Sequence, residues 1–185
     1  LARMMVGREV LLERTRTPVT AGAVQLALHS VSALGITGQP ALREVSLEVR
    51  AGEILGVAGV SGNGQRELAE VIAGLRPVTG GRVEMVGEDM THWTPGRRSA
   101  VALGYIPEER MRDGIVQEFS VAENMMLDGH TRPPYSNGFF LNFGAIASTT
   151  RRLVKDFAIR TPSIDTPTRS LSGGNIQKII LAREL

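Results

Sequence analysis

Apolar positions change their spacing along the chain, and each change marks an element. Val24, Leu26 and Leu28 alternate with less apolar residues, as do Val45, Leu47 and Val49, which predicts two half-buried strands joined through a turn at residues 35–40. After the turn at Ala51 and Gly52 comes a continuous apolar run, 54–58, with the look of a strand buried on both faces. Leu68, Val71, Ile72 and Leu75 then fall on one helical stripe, which Gly74 and Pro77 should end. Residues 83–86, behind Gly80 and Gly81, and residues 101–106, stopped by Pro107, read as further strands. From about 108 to 169 the pattern is helical, near 121–127 and 144–158, broken by Gly, Pro and Asn loops. Residues 1–22 read as a helix end followed by a Thr/Pro linker.

Composition narrows the class without choosing within it. The 185 residues are 42% hydrophobic and 22% charged, as in an ordinary globular domain, and the net charge of +2 is too small for a nucleic-acid footprint. The basic pairs Arg97–Arg98 and Arg151–Arg152 read as solvated helix faces. Without cysteine, no disulfide or thiolate metal site can form. No apolar run approaches the roughly 18 residues that would cross a bilayer, so any membrane role is expected to come through a partner. The first ten residues have no signal-peptide core and do not open on methionine, and the chain is expected to begin within a longer protein. His29, His92 and His130 stand in unrelated places and are read as structural.

Chemistry first enters where strand, glycine-rich turn and helix meet. Gly59, Val60, Ser61, Gly62, Asn63, Gly64, Gln65 and Arg66 follow the phosphate-loop pattern G-x-x-x-x-G-K-[ST] at both glycines and depart from it at the last two positions. The glycines let backbone amides turn inward and cradle phosphate at a helix N-terminus. Gln65 stands where a lysine would reach the outer phosphates, and Arg66 where a hydroxyl would bind Mg²⁺. Losing one charge-assisted hydrogen bond costs about 1.5–3 kcal/mol, roughly 10- to 150-fold in affinity. Arg66 could recover part of this by bending back toward the phosphates. The loop taken alone reads equally well as a glycine-rich turn with no ligand.

A second segment decides between those readings. Leu171, Ser172, Gly173, Gly174, Asn175, Ile176, Gln177 and Lys178 offer an N-cap serine, two glycines permitting close approach, and a helix buried through Ile176, Ile179 and Ile180. Ser-Gly-Gly alone is an ordinary N-capped helix. In this order, however, phosphate loop, helical insert and LSGGN-x-QK resemble an ATP-binding-cassette (ABC) ATPase over nearly all of residues 24–185. The wording resembles the simple-sugar and nucleoside importers, whose ATP-binding subunit carries two fused cassettes, and within them it leans toward the nucleoside members. Residues 1–9 are similar to the end of a first cassette and residues 59–67 to the phosphate loop of the second. Residues 104–110 resemble its Q-loop region, with Glu108 in place of the usual glutamine.

The resemblance implies an α/β P-loop NTPase core with an antiparallel β portion and a mostly helical inserted subdomain, incomplete at the C-terminus. It divides the chain into 1–22 (end of a preceding cassette and linker), 23–107 (core with the degenerate phosphate loop), 108–170 (Q-loop and helical subdomain) and 171–185 (signature helix). The nucleotide-binding residues it implies are Gly59, Ser61, Gly62, Asn63, Gly64, Gln65 and Arg66. Leu171, Ser172, Gly173, Gly174, Asn175 and Gln177 would act in trans on ATP held by the partner cassette. ATP is the implied cofactor, weakly held, with Mg²⁺ not expected in this half. No aromatic lies between Val24 and Pro40 to stack on adenine, leaving an apolar contact from Leu34. The Walker B carboxylates and the switch histidine are expected beyond Leu185, so no catalytic or metal-binding residue is assigned and these residues alone are not expected to hydrolyse ATP.

Implied partners are a first cassette of the same polypeptide, transmembrane permease subunits and, indirectly, a solute-binding protein. A homodimer is also foreseen, and nucleic acid is not. The implied location is the cytoplasmic face of the plasma membrane. In the family, a coupling helix of the permease enters the groove between core and helical subdomain. Met125, Met126 and residues 135–143 are candidate contacts there or core residues, and Pro107 and Glu108 mark the hinge. A non-hydrolysing nucleotide-sensing or interaction module remains an alternative. A chromosome-maintenance ATPase would separate the motifs by long coiled coils, and a P-loop kinase or GTPase would keep Lys and Ser/Thr at 65 and 66.

Overall fold

The structure is a computed structural model that describes residues 20–101 and 103–185. The two alternating runs pair as β1 (Val24–Leu34) and β2 (Pro40–Arg50), antiparallel, with Leu28 opposite Leu47 and Val31 opposite Val45. β3 (Gly80–Met85) lies antiparallel on the other side of β1, and the two-residue β4 (Glu88–Asp89) closes the order β2-β1-β3-β4. Helix α1 (Gln65–Ala73) presses Leu68 and Val71 into a core with Leu28, Val31, Leu42, Val83 and Met90. It stops at Gly74, whose φ of 78° is left-handed, so Leu75 lies past the stripe and is 55% exposed.

A second body follows the short α2 (Pro95–Ser99) and a wide five-residue turn, Arg110–Gly114. It contains α3 (Val121–Met126), α4 (Phe143–Asp156) and α5 (Gly173–Glu184). Ser120 and Glu123 form a reciprocal capping box that fixes the start of α3. Val121, Met125, Ile159 and Ile179 share one apolar cluster, and Ile115, Ile176 and Ile180 an adjoining one. α5 therefore packs with the helical part of the chain. Buried Asn124 stitches this body together, accepting from Val116 N (2.8 Å) and donating to the carbonyls of Val116 and Phe119.

Three expectations are corrected. Residues 54–58 form no ladder, and Ile54 is 97% exposed; a strand buried on both faces needs a neighbour on each edge, and none of the described strands pairs with it. Residues 103–106 likewise form no ladder. Arg98 is no solvated residue: it is 2% exposed, because its guanidinium satisfies four carbonyls, Val71 (2.6 Å), Ile72 (2.7 Å), Met90 (2.7 Å) and Thr91 (3.1 Å). Only its neighbour Arg97 faces water, stacked 3.7 Å from the Trp93 ring. Residues 1–19 lie outside the described residues, and with them the proposed cassette end and most of the linker.

Candidate functional site: a phosphate loop and a signature helix

The glycine loop is built for close backbone approach. Gly62 and Gly64 have φ of 90° and 97°, and a Cβ on Gly64 would stand 2.8 Å from the Ala41 carbonyl oxygen. Residues 59–63 are exposed while Gly64 is buried under α1, so the loop is anchored at the helix and open to water above it. Asn63 N donates to Val60 O (3.2 Å) and Leu68 N to Gly64 O (2.8 Å), the second opening the helix.

The two departures from the phosphate-loop pattern have definite positions. Gln65 folds back over the loop, its side-chain amide donating to Val60 O (3.2 Å) and lying where a Cβ on Gly59 would collide. Arg66 does not bend toward the loop. It pairs with Glu70 (2.8 Å) and Asp113 (3.1 Å), and Glu70 also takes Arg76 (2.6 Å). Burial pushes the Glu70 carboxyl up, but hydrogen bonds from Arg66 and Arg76 outweigh it and hold it below its ordinary value. Asp113 is held low chiefly by its hydrogen bond from Arg112, with Arg66 adding to it. Position 66 thus presents a committed cation, which does not fit a magnesium ligand.

At the signature segment, Leu171 packs among Val121, Met125, Ile176 and Ile179. Ser172 occupies the N-cap with extended backbone, yet its hydroxyl makes no capping bond; instead it accepts from Asn175 Nδ2 (3.0 Å). Asn175 Oδ1 accepts from Arg160 N (2.9 Å), which pins residue 160 to the helix start. Gln177 Oε1 accepts from Arg110 (3.2 Å), and a Cβ on Gly173 would stand 3.3 Å from the same guanidinium. Nothing lies within 4 Å of a Cβ on Gly174, so that face is open.

No described hydrogen bond or ion pair joins residues 59–66 directly to residues 171–177. The 110–114 turn stands between them, touching Arg66 through Asp113 and Gln177 through Arg110. Beside it opens a groove of about 830 Å³ lined by Arg66, Glu70, Tyr105, Asp113, Arg132 and Arg183. Glu108 is exposed, and its neighbour Pro107 lines the groove and is buried. Leu34, the expected apolar contact for a base, is 42% exposed, and Arg76 donates to its carbonyl. Of the candidate docking residues, Met125 is core, whereas Phe139, Phe140 and Phe143 are exposed. Sequence reasoning missed Glu70, Asp113, Arg110 and the burial of Arg98. Only an i, i+4 pairing of Arg66 with Glu70 was available as a signal, because the other partners are remote in sequence.

A family model described as ABC transporter matches residues 42–185. The guanosine import ATP-binding protein NupO of Bacillus subtilis is 38% identical over 185 residues, covering 100% of this chain and 36% of that protein. The nucleoside import ATP-binding protein NupA of Lactococcus lactis is 40% identical, covering 100% of the chain and 37% of that protein. The ribose import ATP-binding protein RbsA 1 of Rubrobacter xylanophilus is 40% identical over 184 residues, 99% of this chain and 36% of the relative. The chain thus spans little more than a third of the length of these relatives. Among solved structures, a dimeric ATP-binding cassette in a post-hydrolysis state with ADP and Pi superimposes with a TM-score of 0.71 at 19% identity, over 86% of this chain and 68% of that one. That likeness establishes the fold, an α/β P-loop NTPase cassette with an antiparallel sheet and helices.

Proposed function

This chain belongs to the ABC transporter family, and from that premise we propose that it is a nucleotide-binding cassette of an ATP-driven importer for a nucleoside or simple sugar. Support for the solute class comes from the relatives, whose names specify guanosine, nucleoside and ribose import. Within that reading, the chain is the second of two fused cassettes, divided at 23–107, 108–170 and 171–185. It works beneath permease subunits on the cytoplasmic face. No helix among the described residues is long and apolar enough to cross a membrane itself.

One observation carries the division of labour. The side chains at the start of α1 are engaged with remote or looped-back parts of the chain, Gln65 on Val60 and Arg66 on Glu70 and Asp113. At the start of α5, by contrast, Ser172 is exposed, its hydroxyl accepting from its neighbour Asn175 and donating in no described hydrogen bond, and the face at Gly174 is open. The loop formed by Gly59, Ser61, Gly62, Asn63 and Gly64 is then a degenerate ATP site, weak and without a magnesium ligand at 66. Leu171, Ser172, Gly173 and Gly174, positioned by Asn175 and Gln177, form the half of a site completed by ATP on the first cassette, with Glu108 at the Q-loop position. Hydrolysis is assigned to that completed site.

The position of Gln65 also favours the second reading, a non-hydrolysing nucleotide-sensing or interaction module. Titration of the full-length protein with a fluorescent ATP analogue, with and without Mg²⁺, separates the two when the sites are examined by substitution. Micromolar binding that survives loss of the first cassette's phosphate loop and is indifferent to Mg²⁺ supports a working degenerate site. Binding there only in a Gln65→Lys/Arg66→Ser variant leaves this half as donor of the signature. If Ser172→Ala leaves ATP turnover unchanged, the trans role is wrong and the module reading stands.

A further inference from the structure

We propose that the ion pair between Arg66 and Asp113 is a latch that holds the signature helix in place against the core. The turn Arg110–Gly114 is fastened to α5 by three independent contacts. Arg110 donates to Gln177 (3.2 Å), Arg183 donates to the Gly114 carbonyl (3.0 Å), and buried Gly114 lies so close to Ile180 that a Cβ would stand 2.5 Å from its Cδ1. Turn and helix therefore move together.

Pro107 lies close to Gly114, 3.3 Å from a Cβ placed there, and two described polar contacts tie the assembly to the core. At the far end of α5, Glu184 accepts from Tyr105 N (2.9 Å). At the turn, Asp113 takes the guanidinium of Arg66 (3.1 Å), whose other side is fixed by Glu70. Asp113 also pairs with Arg112 (2.9 Å), but both lie on the same turn, so that pair carries nothing across. α5 is packed into the helical body through Ile176, Ile179 and Ile180, so the Glu184 anchor alone would let that body turn about one end, and the second anchor sets its direction. Arg66 is thereby a positioning residue: an arginine where the phosphate-loop pattern has a hydroxyl reaches 47 positions along the chain to aim Ser172. That the aim matters for nucleotide on another cassette rests on the function proposed above; the latch itself does not.

Hydrogen exchange of the full-length protein, without nucleotide, tests it. In Asp113→Asn, amides in residues 110–116 and 175–178 should exchange about two- to fivefold faster. Those of β1 and of residues 181–184, beside the Glu184 anchor, should not change. Arg66→Gln should match it, the double variant should add nothing further, and Asp113→Glu should restore protection. Unchanged exchange at 175–178 in Asp113→Asn with β1 intact overturns the proposal, as does simple additivity of the two substitutions. Should Asp113→Asn loosen β1 as well, Arg66→Lys is read by the same criteria, since its single ammonium cannot span Glu70 and Asp113 as a guanidinium does.

Discussion

Two of the described helix starts, those of α1 and α5, are rich in glycine, and they differ in how their polar groups are engaged. At α1 the backbone is specialised: Gly64 is forced by a left-handed φ and by the Ala41 carbonyl, and Gln65 and Arg66 are bound to their own chain. At α5 the backbone is ordinary, with Ser172 extended and exposed and Gly174 in open space, while Asn175 and Gln177 are held by Arg160 N and Arg110. The departures from the phosphate-loop pattern at 65 and 66 are thus not simply letters missing. Both side chains have partners within the chain, and turning either toward a ligand would mean breaking those contacts.

The sharpest way to break the comparison is at the other end of α1, where Arg98 gathers four carbonyls and leaves its own Nε without a partner. Arg98→Ala would orphan these acceptors and open a cavity, and should lower unfolding stability by about 3 kcal/mol or more, read by urea titration. Next comes Gly64→Ala, with an expected cost of about 2 kcal/mol from the strained φ and the carbonyl contact. At the signature end, Asn175→Ala removes the acceptor for Arg160 N and should cost about 1 kcal/mol, with faster exchange of that amide.

A pH titration discriminates further. The Glu70 pKa is depressed in the folded state, so its stabilisation is complete above the ordinary value of 4.5 and is lost as pH falls through the depressed one. Glu70→Gln should therefore flatten the acid limb of stability below about pH 4.5 and leave its shape near neutrality unchanged. The smallest stability effect belongs to Gly174→Ala, between zero and about 1 kcal/mol of added stability, because the site is open and helical. If that variant nevertheless impairs the ATP turnover proposed for the full-length protein, the loss lies in the proposed contact with a partner rather than in folding. A cost comparable to that of Gly64→Ala would erase the distinction between the two helix starts.

By itself the sequence determined the elements whose pattern is local. The alternation in β1 and β2, the stripe of Leu68 and Val71, the burial of Ile176, Ile179 and Ile180, and the two glycine-rich helix starts all follow from period and turn chemistry acting over a few residues. Where the period was ambiguous, a continuous apolar run at 54–58 was read as a buried strand, although burial depends on neighbours that no local pattern supplies. Tertiary structure alone decided that Arg98 is interior while Arg97 is not, that Gln65 closes on Val60, and that Arg66 and Asp113 meet. A charged side chain has no intrinsic address: water and a set of buried carbonyls compete for it, and only the packed chain brings those carbonyls within reach.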